Sequence, residues 1–151
     1  MSVTTRSAVA IRGARLDDAA ELADLNTQLG YPADALSIVH RLRPILASPN
    51  DAVLVAVDDA DRPIGWLHVG VELALEDSDA GGIRGLVVDD AFRSRGIGRA
   101  LLERAEAWAR ERGVSVLQVR SRVTRERAHA FYEREGYERI KTSYVFRKRL
   151  V

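Results

Sequence analysis

A short apolar run, residues 83–88, leads without a gap through an Arg- and Gly-rich turn into an amphipathic helix. The turn reads Arg93-Ser94-Arg95-Gly96-Ile97-Gly98-Arg99. Two glycines one residue apart remove the Cβ atoms that would hold an anion away from backbone N–H groups. The free N–H groups and the positive end of the following helix point at the same spot. Strand, glycine turn and helix therefore describe a pocket for phosphate oxygens.

The motif narrows the ligand. The dinucleotide fingerprint requires a third glycine, and here Gly98 is followed by Arg99-Ala100-Leu101. The nucleoside-triphosphate loop requires Gly-Lys-Ser/Thr, which the chain lacks. What remains is Arg-x-x-Gly-x-Gly at Arg93, Gly96 and Gly98. It resembles the pyrophosphate-binding motif of the GNAT superfamily of acetyl-coenzyme A-dependent N-acetyltransferases. A second segment, Ala128-His129-Ala130-Phe131-Tyr132-Glu133-Arg134-Glu135-Gly136-Tyr137, is similar to the Ala-x-x-Phe-Tyr-x-x-x-Gly-Phe/Tyr signature of the same superfamily. It follows the first motif after one helix and one strand, as the family requires.

Periodicity gives the order β, α, α, β, β, β, α, β, α, β, β. After a flexible start at residues 1–8, an edge strand falls at 9–14. Leu22, Leu25 and Leu29 mark a first helix that Gly30 stops, and residues 33–47 form a second, in which Pro44 is a potential kink or early end. Strands follow at 52–57, 64–71 and 83–88, with a polar loop at 73–82 carrying Glu76, Asp77 and Asp79. Residues 97–112 are helical, 114–119 a strand, and Thr124 opens a helix that ends at Gly136. Residues 137–140 and 143–150 read as a terminal hairpin. The resemblance implies one α/β GNAT domain over residues 1–151, a mixed, mostly antiparallel sheet of six to seven strands with helices on both faces.

At 151 residues the chain is long enough for one domain with its own core. It has no cysteine, so it offers neither a disulfide nor a thiolate metal ligand or nucleophile. Its histidines, His40, His68 and His129, are widely separated, and no metal site is expected. There is no apolar run long enough to cross a membrane and no signal peptide, so the expected location is cytoplasmic. Residues 1–83 hold 6 Arg against 13 acidic residues, while residues 84–151 hold 17 Arg or Lys against 9. A basic half suits a cofactor with several phosphates, and an acidic half suits a cationic amine; solvated surface charge gives the same counts. Arginines interleaved with glutamates, and no nucleic-acid motif, argue against DNA or RNA as a partner.

The resemblance assigns roles. Acetyl-CoA is the implied cosubstrate, its pyrophosphate on the turn formed by Arg93, Ser94, Arg95, Gly96, Ile97, Gly98 and Arg99, its pantetheine arm along Leu86, Val87 and Val88. The guanidinium groups of Arg93 and Arg95 either add charge contacts or are plain surface groups. A backbone N–H near Val88 is the implied oxyanion donor. Tyr132 is the implied general acid, because a phenol stays protonated at neutral pH and can protonate a leaving thiolate. Arg125 stands where many relatives carry a cofactor-binding Asn and is a candidate phosphate partner. Many relatives carry a Glu base on the strand before Leu86; here Gly81, Gly82, Arg84 and Gly85 stand there instead. Glu72 and Glu76 are the next candidates, with His68 behind them and water as the other carrier. Tyr31 and Trp66 line an acceptor cleft or belong to the core. The expected function is acetyl transfer to a primary amine, a small cationic molecule or a protein amine, by direct attack in a ternary complex. A CoA-binding sensor is the alternative. Relatives also dimerise through sheet edges, which makes residues 143–150 the expected homodimer surface.

Overall fold

The computed structural model describes residues 9–76 and 80–151. The expected flexible start at 1–8, and Asp77 and Asp79 of the acidic loop, lie outside the described residues. The chain divides into two compact units, Met1–Val119 and Arg120–Val151, which are described in turn.

The first unit holds a five-stranded sheet in the order β1 (Ala10–Gly13), β2 (Asp51–Val57), β3 (Pro63–Glu72), β4 (Ala80–Val88), β5 (Leu117–Val119). The β1/β2, β2/β3 and β3/β4 pairs are antiparallel, and β4/β5 is parallel. Register sets the faces, because residues opposite one another share a side. Asp51 faces Gly70, Val53 faces His68, and Val55 faces Trp66; His68 and Trp66 in turn face Gly85 and Val87 of β4. On this side Val53, Val55 and Val57 form a core with Leu22 of α1 (Ala19–Leu29) and Leu42 of α2 (Ala35–Ala47). The opposite side carries Leu54, Ala56, Leu67, Val69 and Ile83, all buried, under α3 (Ile97–Glu111). Leu101, Leu102, Ala105 and Ala109 are the buried stripe of α3, at the spacing an amphipathic helix requires. Fully burying a side chain such as Leu67 or Leu101 stabilises the fold by about 1.5–3 kcal/mol.

Helix ends follow local chemistry. A short 3-10 turn, Leu16–Asp18, leads into α1, where Asp18 accepts the Arg15 N–H at 2.7 Å. Gly30 ends α1 at φ 105°, a conformation that favours glycine. Asp34 caps α2 by accepting the Ser37 N–H at 2.8 Å. Pro44 does not end α2 early. It has no N–H to give the His40 carbonyl one turn back, yet the helix continues to Ala47.

Four expectations need correction. Strand β4 begins at Ala80 rather than at residue 83, so Gly81 and Gly82 pair with β3 and β5 instead of belonging to a loop. Strand β5 is shorter than 114–119. Among the described residues the sheet has five strands rather than six or seven, because residues 137–140 and 143–150 form no strand. An alternating pattern yields a ladder only beside a partner strand, and this stretch has none among the described residues. The second unit holds one helix, α4 (Glu126–Arg134), shorter than the expected 124–136.

Candidate functional site

The turn before α3 has the form its sequence demands. Asp89 accepts the Ala91 N–H at 3.0 Å and opens a 3-10 turn, Asp90–Phe92. The chain then passes through two left-handed residues, Ser94 at φ 64° and Gly96 at φ 77°. Gly96 is the N-cap of α3, and no side chain caps the helix. Among the described residues nothing lies within 4 Å of where a Gly96 Cβ would stand. The helix therefore begins with N–H groups that no cap occupies beside open space, which suits phosphate oxygens. The arginines have local partners: Arg93 Nη2 lies 2.6 Å from Asp90, Arg95 stacks 5.3 Å over Phe92, and Arg99 Nε lies 3.0 Å from Glu103. Backbone amides, rather than free guanidinium groups, are the distinctive feature of this turn.

The strand feeding the turn has an open edge. β4 pairs with β5 only at Gly81, Gly82 and Ile83. From Arg84 to Val88 no strand lies on that side among the described residues. A bulge at Arg84 shifts the register, since Val69 faces Ile83 while His68 faces Gly85. Asp89 N–H donates to Ile64 C=O at 2.8 Å. Antiparallel pairs alternate, so Val88/Gly65 and Leu86/Leu67 fall at positions that do not bond across to β3. The N–H and C=O groups of Leu86 and Val88 thus point out from the open edge. An extended chain lying there would find the donors and acceptors of a missing strand.

Charged groups gather on the face shared with α1 and α2. Asp51 accepts the Ser48 hydroxyl at 2.8 Å and stands 2.9 Å from His68 Nε2. A carboxylate only accepts, so Nε2 carries the proton. Partial burial works against the charge of Asp51, but these bonds and the nearby Arg84 hold its carboxyl below the usual range. Arg84 Nε lies 3.6 Å from Asp51, and Arg84 Nη1 lies 3.8 Å from Glu72. Three glycines make this packing feasible. A Cβ on Gly70 would stand 2.7 Å from the Asp51 carboxylate, one on Gly85 would stand 2.7 Å from the Trp66 ring, and one on Gly82 would collide with the Glu72 carboxylate. Glu72, on β3, therefore lays its carboxylate over β4 where β4 has no side chain. Glu76 is exposed in the loop after β3. The Trp66 ring packs against the core, with its buried indole N–H unpartnered among the described residues, while Tyr31 is exposed.

In the second unit, Tyr132 packs edge-on against Phe131 and Tyr137, with centroids 5.2 and 5.9 Å away. Burial pushes its phenol above the ordinary value, with Arg125 opposing, so the group is protonated at neutral pH. Arg125 is the N-cap of α4 and bonds no helix N–H through its side chain.

Sequence reasoning missed Asp51, Ser48 and Arg84. The glycines at 70, 82 and 85 were the signal available, since repeated glycines inside strands mark the close approach of other groups.

Comparisons with known proteins place the chain in a family. The model of the acetyltransferase (GNAT) family matches residues 17–137. An aminoglycoside N(6')-acetyltransferase type 1 of Stenotrophomonas maltophilia is 33% identical over 145 residues, covering 93% of this chain and 94% of that protein. An aminoalkylphosphonate N-acetyltransferase of Salmonella typhimurium is 32% identical over 94 residues, covering 62% of this chain and 60% of that protein. The fold is similar to that of AAC(6')-Iy in complex with a CoA-linked bisubstrate analog, with a TM-score of 0.82 at 19% identity, covering 95% of this chain and 99% of that one. With its glycine turn, its open strand edge and a family match across most of its length, the chain belongs to the GNAT acetyltransferase family and is an acetyl-CoA-dependent acyltransferase.

Proposed function

We propose that the protein moves an acetyl group from acetyl-CoA to the primary amine of a small cationic acceptor by direct attack. The observation that carries the reading is the pairing of an open β4 edge with a carboxylate laid over Gly82 of the same strand. The amides of residues 93–99 hold the pyrophosphate, and Arg125 adds a phosphate contact. The pantetheine arm lies along Leu86, Val87 and Val88. Glu72 takes a proton from the arriving ammonium. Four residues of strand put Leu86 about 13 Å from Gly82 and six put Val88 about 20 Å away, so water relays that proton. The free amine attacks the thioester carbon, and the C–N bond forms as the C–S bond breaks. The carbonyl oxygen gains charge against an outward amide of β4, Val88 by resemblance, with Leu86 the nearer to Glu72. A donor of this kind is worth about 3–4 kcal/mol where one has been removed. By resemblance, Tyr132 gives its proton to the departing thiolate and is restored by the second proton that the nitrogen loses as the amide forms.

Calorimetry with acetyl-CoA, followed by free-CoA release over a panel of amines, tests the reading. Binding together with amine-dependent CoA release is expected. No acetyl-CoA binding at millimolar ligand overturns it.

A further inference from the structure

The junction between β4 and the glycine turn is held from a second layer of the fold. Four successive N–H groups there are bonded. Asp89 N–H donates to Ile64 C=O on β3 at 2.8 Å, Ala91 N–H to the Asp89 carboxylate at 3.0 Å, and Phe92 N–H to Asp89 C=O at 2.9 Å. These three stay within the sheet or the turn. The fourth, Asp90 N–H, donates to Gln28 Oε1 at 2.9 Å, on a helix 62 residues earlier in the chain. A backbone N–H only donates, so it is the amide oxygen of Gln28 that it meets.

Both ends of this link are anchored. Gln28 lies in the last turn of α1, which packs on β3 and β4. There Gly30 N–H returns to Thr27 C=O and Tyr31 N–H to Asn26 C=O, each at 3.0 Å. Asn26, itself buried, donates its side-chain N–H to Tyr31 C=O at 2.7 Å and closes the helix end. On the other side, the Asp90 carboxylate holds Arg93, the first residue of the glycine turn, at 2.6 Å. Asp90 thus joins α1 through its amide and the turn through its side chain. Ser94 follows in a left-handed conformation that few residues other than glycine adopt, so this stretch relies on its anchors to keep one shape. A turn ordered beforehand loses less entropy when a ligand arrives.

We infer that Gln28 is a positioning residue for the cofactor. By taking the Asp90 N–H, it fixes the end of β4 and presents the amides of residues 93–99 in their binding form. This rests on the reading of that turn as the acetyl-CoA pyrophosphate site, and adds to it a residue remote in sequence.

The test is a double-mutant cycle read as the Kd of acetyl-CoA by calorimetry. Gln28→Leu removes the acceptor at an exposed position while keeping a side chain of similar length. Asp90→Pro removes the donor. Asp90 is the first residue of its 3-10 turn, and Asp89 is extended at ψ 132°, the conformation that a residue before proline favours. Gln28→Leu is expected to raise Kd about fivefold, the reach of one hydrogen bond. In the Asp90→Pro background the same substitution is expected to change Kd less than about twofold, since the bond is already gone. An unchanged Kd in Gln28→Leu alone, or an equal loss in both backgrounds, would overturn the proposal. A wild type that binds no acetyl-CoA would overturn the cofactor reading itself, and this proposal with it.

Discussion

At the scale of single residues, the decisive relation is between Glu72 and Gly82. An added Cβ at Gly82 would meet the mobile end of Glu72 rather than backbone, so the fold tolerates the change while the carboxylate is displaced. Gly82→Ala is therefore expected to lower kcat for CoA release while acetyl-CoA affinity by calorimetry stays within about twofold; an undiminished kcat would remove Glu72 from the chemistry. Glu72→Gln is expected to lower kcat by about a hundredfold or more, the usual range for a lost general base. Tyr132 makes a different forecast. Its phenol is raised by burial, so a proton-donating role fails only at alkaline pH, above the ordinary tyrosine value. Tyr132→Phe should lower kcat at neutral pH and remove that alkaline decline from the pH–rate profile.

At the scale of elements, the sequence reading succeeded where a pattern is self-contained and failed where a neighbour decides. α1, α2 and α3 were legible because apolar residues recur on one face and Gly30 and Gly113 end two of them. The start of β4 was not legible, since Gly81 and Gly82 look like loop residues until Leu117 and Glu72 are seen to fill their places. The sequence left the general base open among Glu72, Glu76, His68 and water, because β4 itself carries no carboxylate before Leu86. Gly85 follows this logic too. A Cβ there would stand 2.7 Å from the Trp66 ring, which is packed against the core, so Gly85→Ala is expected to cost about 1–3 kcal/mol in denaturant unfolding.

Across the whole molecule, charge organises both stability and ligand capture. Arg12 forks onto Asp18 at 2.8 and 2.9 Å and reaches Asp61 at 2.8 Å, joining β1 to the turn before α1. Burial opposes the charge on Asp18, but Arg12 and the Arg15 N–H lower its pKa on balance. A lowered carboxyl stabilises the fold above the unfolded value of 3.8 and loses that contribution as pH falls through the folded value. Asp18→Asn should therefore flatten the fall of Tm below pH 3.8. The basic half of the chain makes a kinetic forecast: KM for acetyl-CoA should rise with added salt as the field around residues 84–151 is screened.

Glu72 over Gly82 has a consequence for how such proteins are inventoried. If Glu72 is the base, as proposed, a group supplied from an adjoining strand leaves a blank in the alignment column where an acid is sought, and a column-by-column survey would score the catalyst as inert. The reciprocal exchange, Glu72→Gly with Gly82→Glu, would return the acid to that column and is expected to recover part of the turnover lost by Glu72→Gly alone.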